Sequence, residues 1–514
     1  MLRIKSFLQN QWWDDGTEIA QVHAAHSGVV HGEICGHGVP FSDALSFARS
    51  KGGPALRALT FTERGALLRA VCDVLNANRE RYAEFSRVNN GATQTDTFLD
   101  VDGGIGTLKY IASLGKRLGE TRFMTQQGRD QITKAEDYQV IHCMMPMQGV
   151  ALHINAFNFP AWGMLEKLGP AILAGVPVVI KPATATLPVA YAMAQDIVDA
   201  EIFPEGAFNF VAGAIGDLVD HLEWDDVVAF TGSATTAQTL KTHPVIVSQG
   251  VRMNIEADSL NSCILGSDVA PGSDHFKSFI REVVKEMTIK AGQKCTAIRR
   301  VFVPAETLDS TLDSLVSSLS KVRVGDPSID TVTMGPLANA AQVQSAEIGL
   351  AELSRDCELV FDGAFEPTDA MPGGFYFSPK ILVCQNPSDS DIVHHTEIFG
   401  PVVTVMPYSD QEELETLVRK GQGSLVSSIF TNSSEWATWS IHHLGSAHGR
   451  LLIVNDAIAR SHSGHGNVMP MCNHGGPGRA GGGQELGGLR SLSLYQNLVA
   501  VQSDQSFLDQ LESV

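Results

Sequence analysis

The sequence predicts an α/β protein, with a parallel sheet covered by helices on both faces and a second α/β unit beside it. Three observations carry this expectation. From about residue 149, short β-branched runs alternate with helix-length stretches. The runs are apolar throughout rather than at every second position, which fits strands buried on both faces. At 514 residues the chain is too long for one ordinary core, so two or three domains are expected.

Taken in order, GVALHIN from Gly149 reads as a strand and MLEKLGPAILAG from Met164 as a helix. VPVVIKPA from Val176 is the next strand. LPVAYAMAQDIVDA from Leu187 follows as a helix with apolar residues at helical spacing. FNFVAG, VVAFTG and the segment around RMNIEA are further strands. A second region begins near Asn261. There DHFKSFIREVVKEMTIKAGQ places Phe276, Phe279, Ile280, Val283, Val284 and Met287 on one helix face. RRVFVPAE is the strand after it, so Cys295 in GQKC falls on a helix-to-strand connection, a common place for catalytic groups. The stretch HSGHGNVMPMCNHGGPGRAGGGQELGGLRSL is rich in glycine. It reads either as a surface loop or as a loop folded over a site, with glycines admitting close backbone approach.

Composition excludes several classes. The formal net charge of −20 repels phosphate backbones and acidic lipid, so neither nucleic acid nor membrane is expected as a partner. Eight scattered cysteines form no C-x-x-C pair and do not resemble a disulfide framework. The opening MLRIKSFLQNQWWDD lacks the apolar core of a signal peptide, and no apolar run reaches membrane-spanning length, so a cytoplasmic setting is expected.

Each candidate site residue has a bland reading beside the chemical one. Cys295 is either a small buried hydrophobe or a nucleophile, and its neighbour Lys294 is weak support because adjacent loop residues can point apart. In NAFNFPAWG, Asn158 is a turn residue or a side-chain amide donating to an oxyanion. VVAFTGSATTAQTL runs through Gly232 and Ser233 into a helix whose N-terminus could face a pyrophosphate, and VAGAIGD, with Gly213 and Gly216, is a second glycine turn nearby. Neither matches a full dinucleotide fingerprint. Glu256 ends a strand in NIEADSLNS, as a solvated carboxylate or as a partly buried general base. His462 and His465, spaced H-x-x-H with His474 nearby, have neither helical spacing nor an acidic third ligand, so no metal is expected.

Together the motifs resemble the aldehyde dehydrogenase superfamily. NAFNFP, VVIKPAT, FTGS, Glu256, GQKC and EIFGP occur in that family's order across nearly the whole chain. The resemblance implies a Rossmann-like cofactor domain (1–130 and 147–256), an α/β catalytic domain (257–486) and a small β oligomerisation extension (131–146 and 487–514). It implies that Cys295 attacks an aldehyde, that Asn158 holds the oxyanion, that Glu256 activates water, and that Glu485 is a second carboxylate in proton transfer. Asn155, Phe157, Lys181, Ala183, Thr184, Gly216, Gly232, Ser233, Glu397 and Phe399 are the implied cofactor contacts. Many relatives follow the glutamate with Leu-Gly-Gly-Lys, whereas this chain reads EADSLN, which leaves the local geometry of Glu256 open.

INAFNFPAWGMLEKL, EADSLN and HGGPGRAGGGQELGGLR resemble, more narrowly, dehydrogenases of bacterial aromatic catabolism that act on semialdehydes carried by coenzyme A. The implied substrate is 3,4-dehydroadipyl-CoA semialdehyde, with the 3-oxo-5,6-dehydrosuberyl-CoA semialdehyde of phenylacetate catabolism as the alternative. The chain has no room for the hydratase domain of the bifunctional phenylacetate enzyme, which favours the first. Arg479 and Arg490 flank the glycine-rich loop as candidate contacts for the coenzyme's phosphates, or are ordinary surface charges. Where NAD-preferring relatives often carry Glu, this chain has Thr184, which removes repulsion of a 2′-phosphate, so NADP is expected over NAD. A homodimer or larger homo-oligomer is expected. The rival readings are a coenzyme A-acylating aldehyde dehydrogenase, whose members generally lack a glutamate at position 256, and a silent structural member, against which Cys295, Glu256 and Asn158 stand together.

Overall fold

The computed structural model describes residues 1–126, 128–134, 137–365 and 369–512. Residues 135, 136, 513 and 514 of the expected extension, with 127 and 366–368 elsewhere, lie outside the described residues. Among the described residues no helix is long and apolar enough to cross a membrane.

The first seven-stranded sheet has the order Arg252–Glu256, Val227–Thr231, Ala151–Ile154, Val178–Lys181, Phe208–Phe210, Ser6–Leu8, Gln11–Trp13. The first five are parallel, Ser6–Leu8 is antiparallel to them, and Gln11–Trp13 turns back antiparallel to Ser6–Leu8. Val178, Val179 and Ile180 are all buried, because helices cover both faces. Helix Trp162–Ala174 is buried along almost its entire length and ends at Gly175, whose φ of 92° a side chain would resist. The chain runs outward from Ala151–Ile154 in one direction and returns to its other side with Val227–Thr231. The crevice at the carboxyl ends of these two strands is therefore the switch point where such sheets bind ligands.

The second seven-stranded sheet runs Glu358–Asp362, Lys380–Val383, Val402–Tyr408, Ile298–Pro304, Asn261–Leu265, Ser424–Phe430, His448–Val454. All its pairs are parallel except the first. Helix Asp274–Thr288 packs on it through Phe276, Phe279, Val283 and Met287 and is capped by Ser273, whose Oγ accepts the Phe276 N–H at 3.1 Å. Such a cap contributes about 1 kcal/mol.

A third sheet pairs Tyr138–Pro146 with the edge strand Gln496–Asp504 over nine residues, antiparallel. It also draws in Met124–Thr125, ahead of the segment expected at 131–146, and Asp130–Gln131 at its start.

The glycine-rich stretch is folded onto the first sheet. A Cβ at Gly481 or Gly483 would lie 2.4 or 2.3 Å from the Ile255 carbonyl oxygen, so glycine is required for the approach. Gly483 N–H donates to Ile255 O at 3.0 Å and Ala257 N–H to Ala480 O at 3.0 Å. The loop thus clamps the strand that ends in Glu256.

Candidate active site

Helix Asp274–Thr288 does not run straight into Cys295. Lys290, Ala291 and Gly292 all have positive φ (52°, 50° and 68°), an unfavourable conformation for the first two. The surroundings hold it. Asp96 Oδ1 accepts the Lys290 N–H at 2.6 Å, and Gln293 bonds back to Lys290 O at 3.0 Å and accepts from Ala338 N at 2.9 Å. A Cβ at Gly292 would meet Gly400 O at 2.4 Å. Beyond this turn Asn261 donates to Cys295 O at 2.7 Å, which fixes the cysteine in the wall of a cavity. Lys294 turns away, its ammonium bonded to Glu286 Oε1 at 2.8 Å and Oε2 at 2.7 Å. Sequence adjacency to Cys295 therefore carries no charge support.

The cavity brings together Cys295, Glu256 and Asn158, three of the four expected catalytic residues, with Phe159, Trp162 and Val468 as apolar wall. Asn158 and Glu256 are buried, Cys295 partly so. The fourth residue, Glu485, is set behind the cavity. Its Oε2 accepts from Lys167 Nζ at 3.0 Å and its Oε1 from Asn254 Nδ2 at 3.0 Å.

Sequence reasoning missed three residues here. His474 stands in the cavity, with Nε2 3.8 Å from Cys295 Sγ and 3.3 Å from Glu256 Oε2, and Nδ1 3.2 Å from Glu166 Oε2. Glu166 Oε1 in turn lies 3.1 Å from Lys167 Nζ. A chain of ionisable groups therefore runs from Glu485 through Lys167 and Glu166 to His474, Glu256 and Cys295. The signal for Glu166 and Lys167 was a charged pair inside an otherwise apolar helix, where such side chains are buried only when paired. Of the other two histidines, His465 bonds Ser428 Oγ at 2.6 Å and His462 packs edge-on to Phe430.

Burial dominates the electrostatics of this chain. It pushes the Cys295 thiol up to about 12, with the Glu256 charge adding to the rise and His474 opposing it. Burial alone would push His474 down, but the Glu256 and Glu166 carboxylates hold it well above its ordinary value, as an imidazolium. Burial would push Glu166 up, yet Lys167 and His474 bring it down to about 2. Burial raises Glu485, and Lys167 only partly opposes this.

The expected cofactor residues occupy the switch-point crevice and its rim. Asn155 follows strand Ala151–Ile154, buried, with both side-chain polar atoms lacking a partner, an unusual state for a buried amide. The Phe157 and Phe399 rings meet edge to face at 5.6 Å, and Arg299 lies over Phe399 at 5.3 Å. Glu397 accepts from Ser259 N at 2.9 Å and faces Arg299 Nε at 3.4 Å, and burial pushes its carboxyl up to about 7 despite Arg299. Lys181 ends strand Val178–Lys181, its pKa lowered by burial. Ala183 leads into the turn Thr184–Thr186, where Thr184 Oγ1 is 3.5 Å from Gly213 O. Gly216 lies in the glycine turn after strand Phe208–Phe210, with φ of 53°. Gly232 N–H donates to Glu256 O at 3.1 Å.

Helix Ala234–Lys241 does follow Ser233, but its first turn is partly engaged. Ser233 Oγ accepts from Thr236 N at 3.3 Å and Asp258 Oδ1 accepts from Ala234 N at 2.9 Å. Here the EADSLN sequence has a local consequence: a carboxylate stands where an anion would meet the helix end. Arg479 is tied to the His394 and His395 carbonyls at 3.3 and 2.9 Å, and Arg490 is exposed.

Comparison with known proteins adds the following. The Aldehyde dehydrogenase family model matches residues 15–500. The 3,4-dehydroadipyl-CoA semialdehyde dehydrogenase of Aromatoleum evansii is 44% identical over 479 residues, 93% of each chain. The glutarate-semialdehyde dehydrogenase of Pseudomonas aeruginosa is 24% identical over 84% of this chain and 85% of that protein. A structure of 3,6-anhydro-L-galactose dehydrogenase in complex with NAP superposes with a TM-score of 0.84 at 20% identity, covering 98% of this chain and 100% of that one. A structure of PnpE with nicotinamide adenine dinucleotide gives 0.84 at 23%, covering 98% and 97%.

Proposed function

The chain belongs to the aldehyde dehydrogenase family, and on that premise we propose that it oxidises a semialdehyde carried on coenzyme A to the acid, with 3,4-dehydroadipyl-CoA semialdehyde as substrate and NADP favoured over NAD. The chemistry rests on one observation above the others: Cys295, Glu256 and Asn158 line one cavity. The substrate rests on the relative that is 44% identical over 93% of the chain.

In this reading the Cys295 thiolate attacks the aldehyde carbon and the carbonyl electron pair moves to oxygen, giving a thiohemiacetal. The Asn158 amide and the Cys295 N–H donate to that oxyanion. The nicotinamide would supply a hydride acceptor when bound, and the thiohemiacetal, having lost its hydride, remains as a thioester on Cys295. Glu256 then takes a proton from water, which attacks the thioester carbon, and the acid departs as Cys295 regains its electron pair. Lys167 and Glu485 lie on the route by which that proton leaves the cavity. Retention of Glu256 argues for water rather than coenzyme A as the acceptor.

The residues present suit the cofactor. Asn155 carries buried, unpartnered polar atoms in the crevice, and Phe399 and Glu397 stand at its rim. Thr184 presents no carboxylate to a 2′-phosphate, and Lys181 lies three residues away in sequence. Homo-oligomerisation is the natural role of the edge strand Gln496–Asp504, which leaves Leu498 and Val499 exposed. A cytoplasmic setting fits cysteines that form no disulfide among the described residues.

The test compares the coenzyme A-linked semialdehyde with a free aldehyde of equal chain length, using both cofactors. A higher kcat/KM for the linked substrate is expected, with loss of rate as well as affinity on truncation. Equal values, or preference for the free aldehyde, overturn the substrate assignment.

A further inference from the structure

We propose that His474 is a catalytic residue, its ring facing both the Cys295 sulfur and Glu256 and stabilising the thiolate when the thiol proton passes to Glu256. The inference deepens the dehydrogenase reading above and rests on it.

The geometry is specific. One ring nitrogen of His474 points at both reacting groups, 3.8 Å from Cys295 Sγ and 3.3 Å from Glu256 Oε2. The other nitrogen is held 3.2 Å from Glu166 Oε2. This is the nucleophile, imidazole and orienting-carboxylate arrangement of activated thiols. Glu166 is itself pinned by Lys167 at 3.1 Å, so its charge persists and keeps a proton on Nδ1. Glu256 is 1% exposed, and neither of its carboxylate oxygens has a hydrogen-bond partner. The charged group it faces is the His474 ring, with Nε2 3.3 Å from Oε2. Cys295 Sγ, Glu256 and His474 Nε2 all lie within 4.8 Å of one another, close enough for a proton to move with small adjustments.

The step balances simply. The Cys295 S–H bond breaks and its electron pair stays on sulfur, while the proton goes to the Glu256 carboxylate. Before transfer, the imidazolium faces one carboxylate and a neutral thiol. After transfer, it faces one thiolate and a neutral acid. The charge is unchanged and only its location moves, which costs least beside a cation already in place. When the thiolate attacks the aldehyde, Glu256 must lose that proton before it can activate water. Lys294, the adjacent cation in sequence, cannot serve, since it is bonded to Glu286.

The test reads the thiol and not the dehydrogenase reaction. The full chain, without substrate, is alkylated with iodoacetamide across pH and the Cys295 peptide is followed by mass spectrometry. Following the peptide matters because Cys472 is also partly exposed. His474→Phe should slow alkylation at neutral pH on the order of tenfold and move its profile upward by about one unit. Glu166→Gln, which leaves the imidazole in place and removes its anchor, should move the profile in the same direction by less. If His474→Phe does not fold, His474→Gln replaces it. Unchanged alkylation profiles in folded variants that still bind cofactor overturn the proposal. Failure of the dehydrogenase reading would show separately, as no cofactor reduction by the wild-type chain with any aldehyde.

Discussion

Lys167 places its ammonium 3.0 Å from Glu485 Oε2, behind the wall of the cavity, with both side chains almost wholly buried. Removing one member of such a pair leaves an uncompensated buried charge. Lys167→Met is expected to destabilise the fold by about 3–5 kcal/mol, while Glu485→Gln keeps the shape and removes the group that can take up a proton. In that variant the first equivalent of reduced cofactor should form at the normal rate and later turnovers should slow. A slowed first turnover would place Glu485 in the formation of the thiohemiacetal instead. Rapid-mixing kinetics distinguish the two.

Asp258 Oδ1 accepts the Ala234 N–H at the start of the helix that follows Ser233. A pyrophosphate approaching that helix end meets a negative charge. Asp258→Asn keeps a hydrogen-bond acceptor and removes the repulsion, so its cofactor KM should fall several-fold with kcat little changed. Titration of cofactor binding by fluorescence checks this, and an unchanged affinity would move the pyrophosphate away from this helix.

Thr184→Glu should reverse cofactor choice. A carboxylate near a 2′-phosphate costs about 1–4 kcal/mol at separations near 4 Å, so NADP should lose at least about tenfold in kcat/KM, while NAD gains or holds. Wild-type kcat/KM higher with NAD than with NADP would contradict the cofactor assignment at the outset.

Glu397 supplies a pH test of stability. Burial raises its carboxyl to about 7 in the fold, against an ordinary value of 4.5. Between those values the folded chain holds a proton that the unfolded chain has lost, so this residue's contribution to stability declines as pH rises from about 4.5 to about 7. Glu397→Gln removes the dependence. Relative to the wild type, its Tm should therefore be higher at pH 8 than at pH 5. A difference independent of pH would mean that Arg299 keeps Glu397 ionised throughout.

The strands and helices around the site were legible because each is apolar on a clear period, from Ala151–Ile154 to the amphipathic Asp274–Thr288. Cys295, Glu256 and Asn158 were legible through their motifs, and the structure brings them to one cavity. What escaped was set by long-range contact. His474 looked like one of three histidines in a glycine-rich stretch, and only folding of that stretch over Ile255 turns it toward Cys295. Glu166 and Lys167 sat in a helix read for its apolar face. Lys294 misled in the other direction, since the left-handed residues Lys290 and Ala291 reorient the chain and send its side chain to Glu286. No local pattern announces two successive positive φ angles at non-glycine residues.

The central claim is that oxidation proceeds through a thioester on Cys295 that Glu256 helps water to release. Replacement of Glu256 by Gln should lower steady-state kcat by about 10²–10⁴-fold, and a rapid mix with aldehyde and oxidised cofactor should still give a burst near one reduced cofactor per site. That burst should form more slowly than in the wild type, because Gln cannot take the Cys295 proton, but faster than the later turnovers. Intact-mass and peptide analysis of that quenched mixture is the most direct measurement. The account predicts the acyl group of the substrate on the Cys295 peptide, in an amount matching the burst. A burst of reduced cofactor with no acyl group on Cys295 would contradict it.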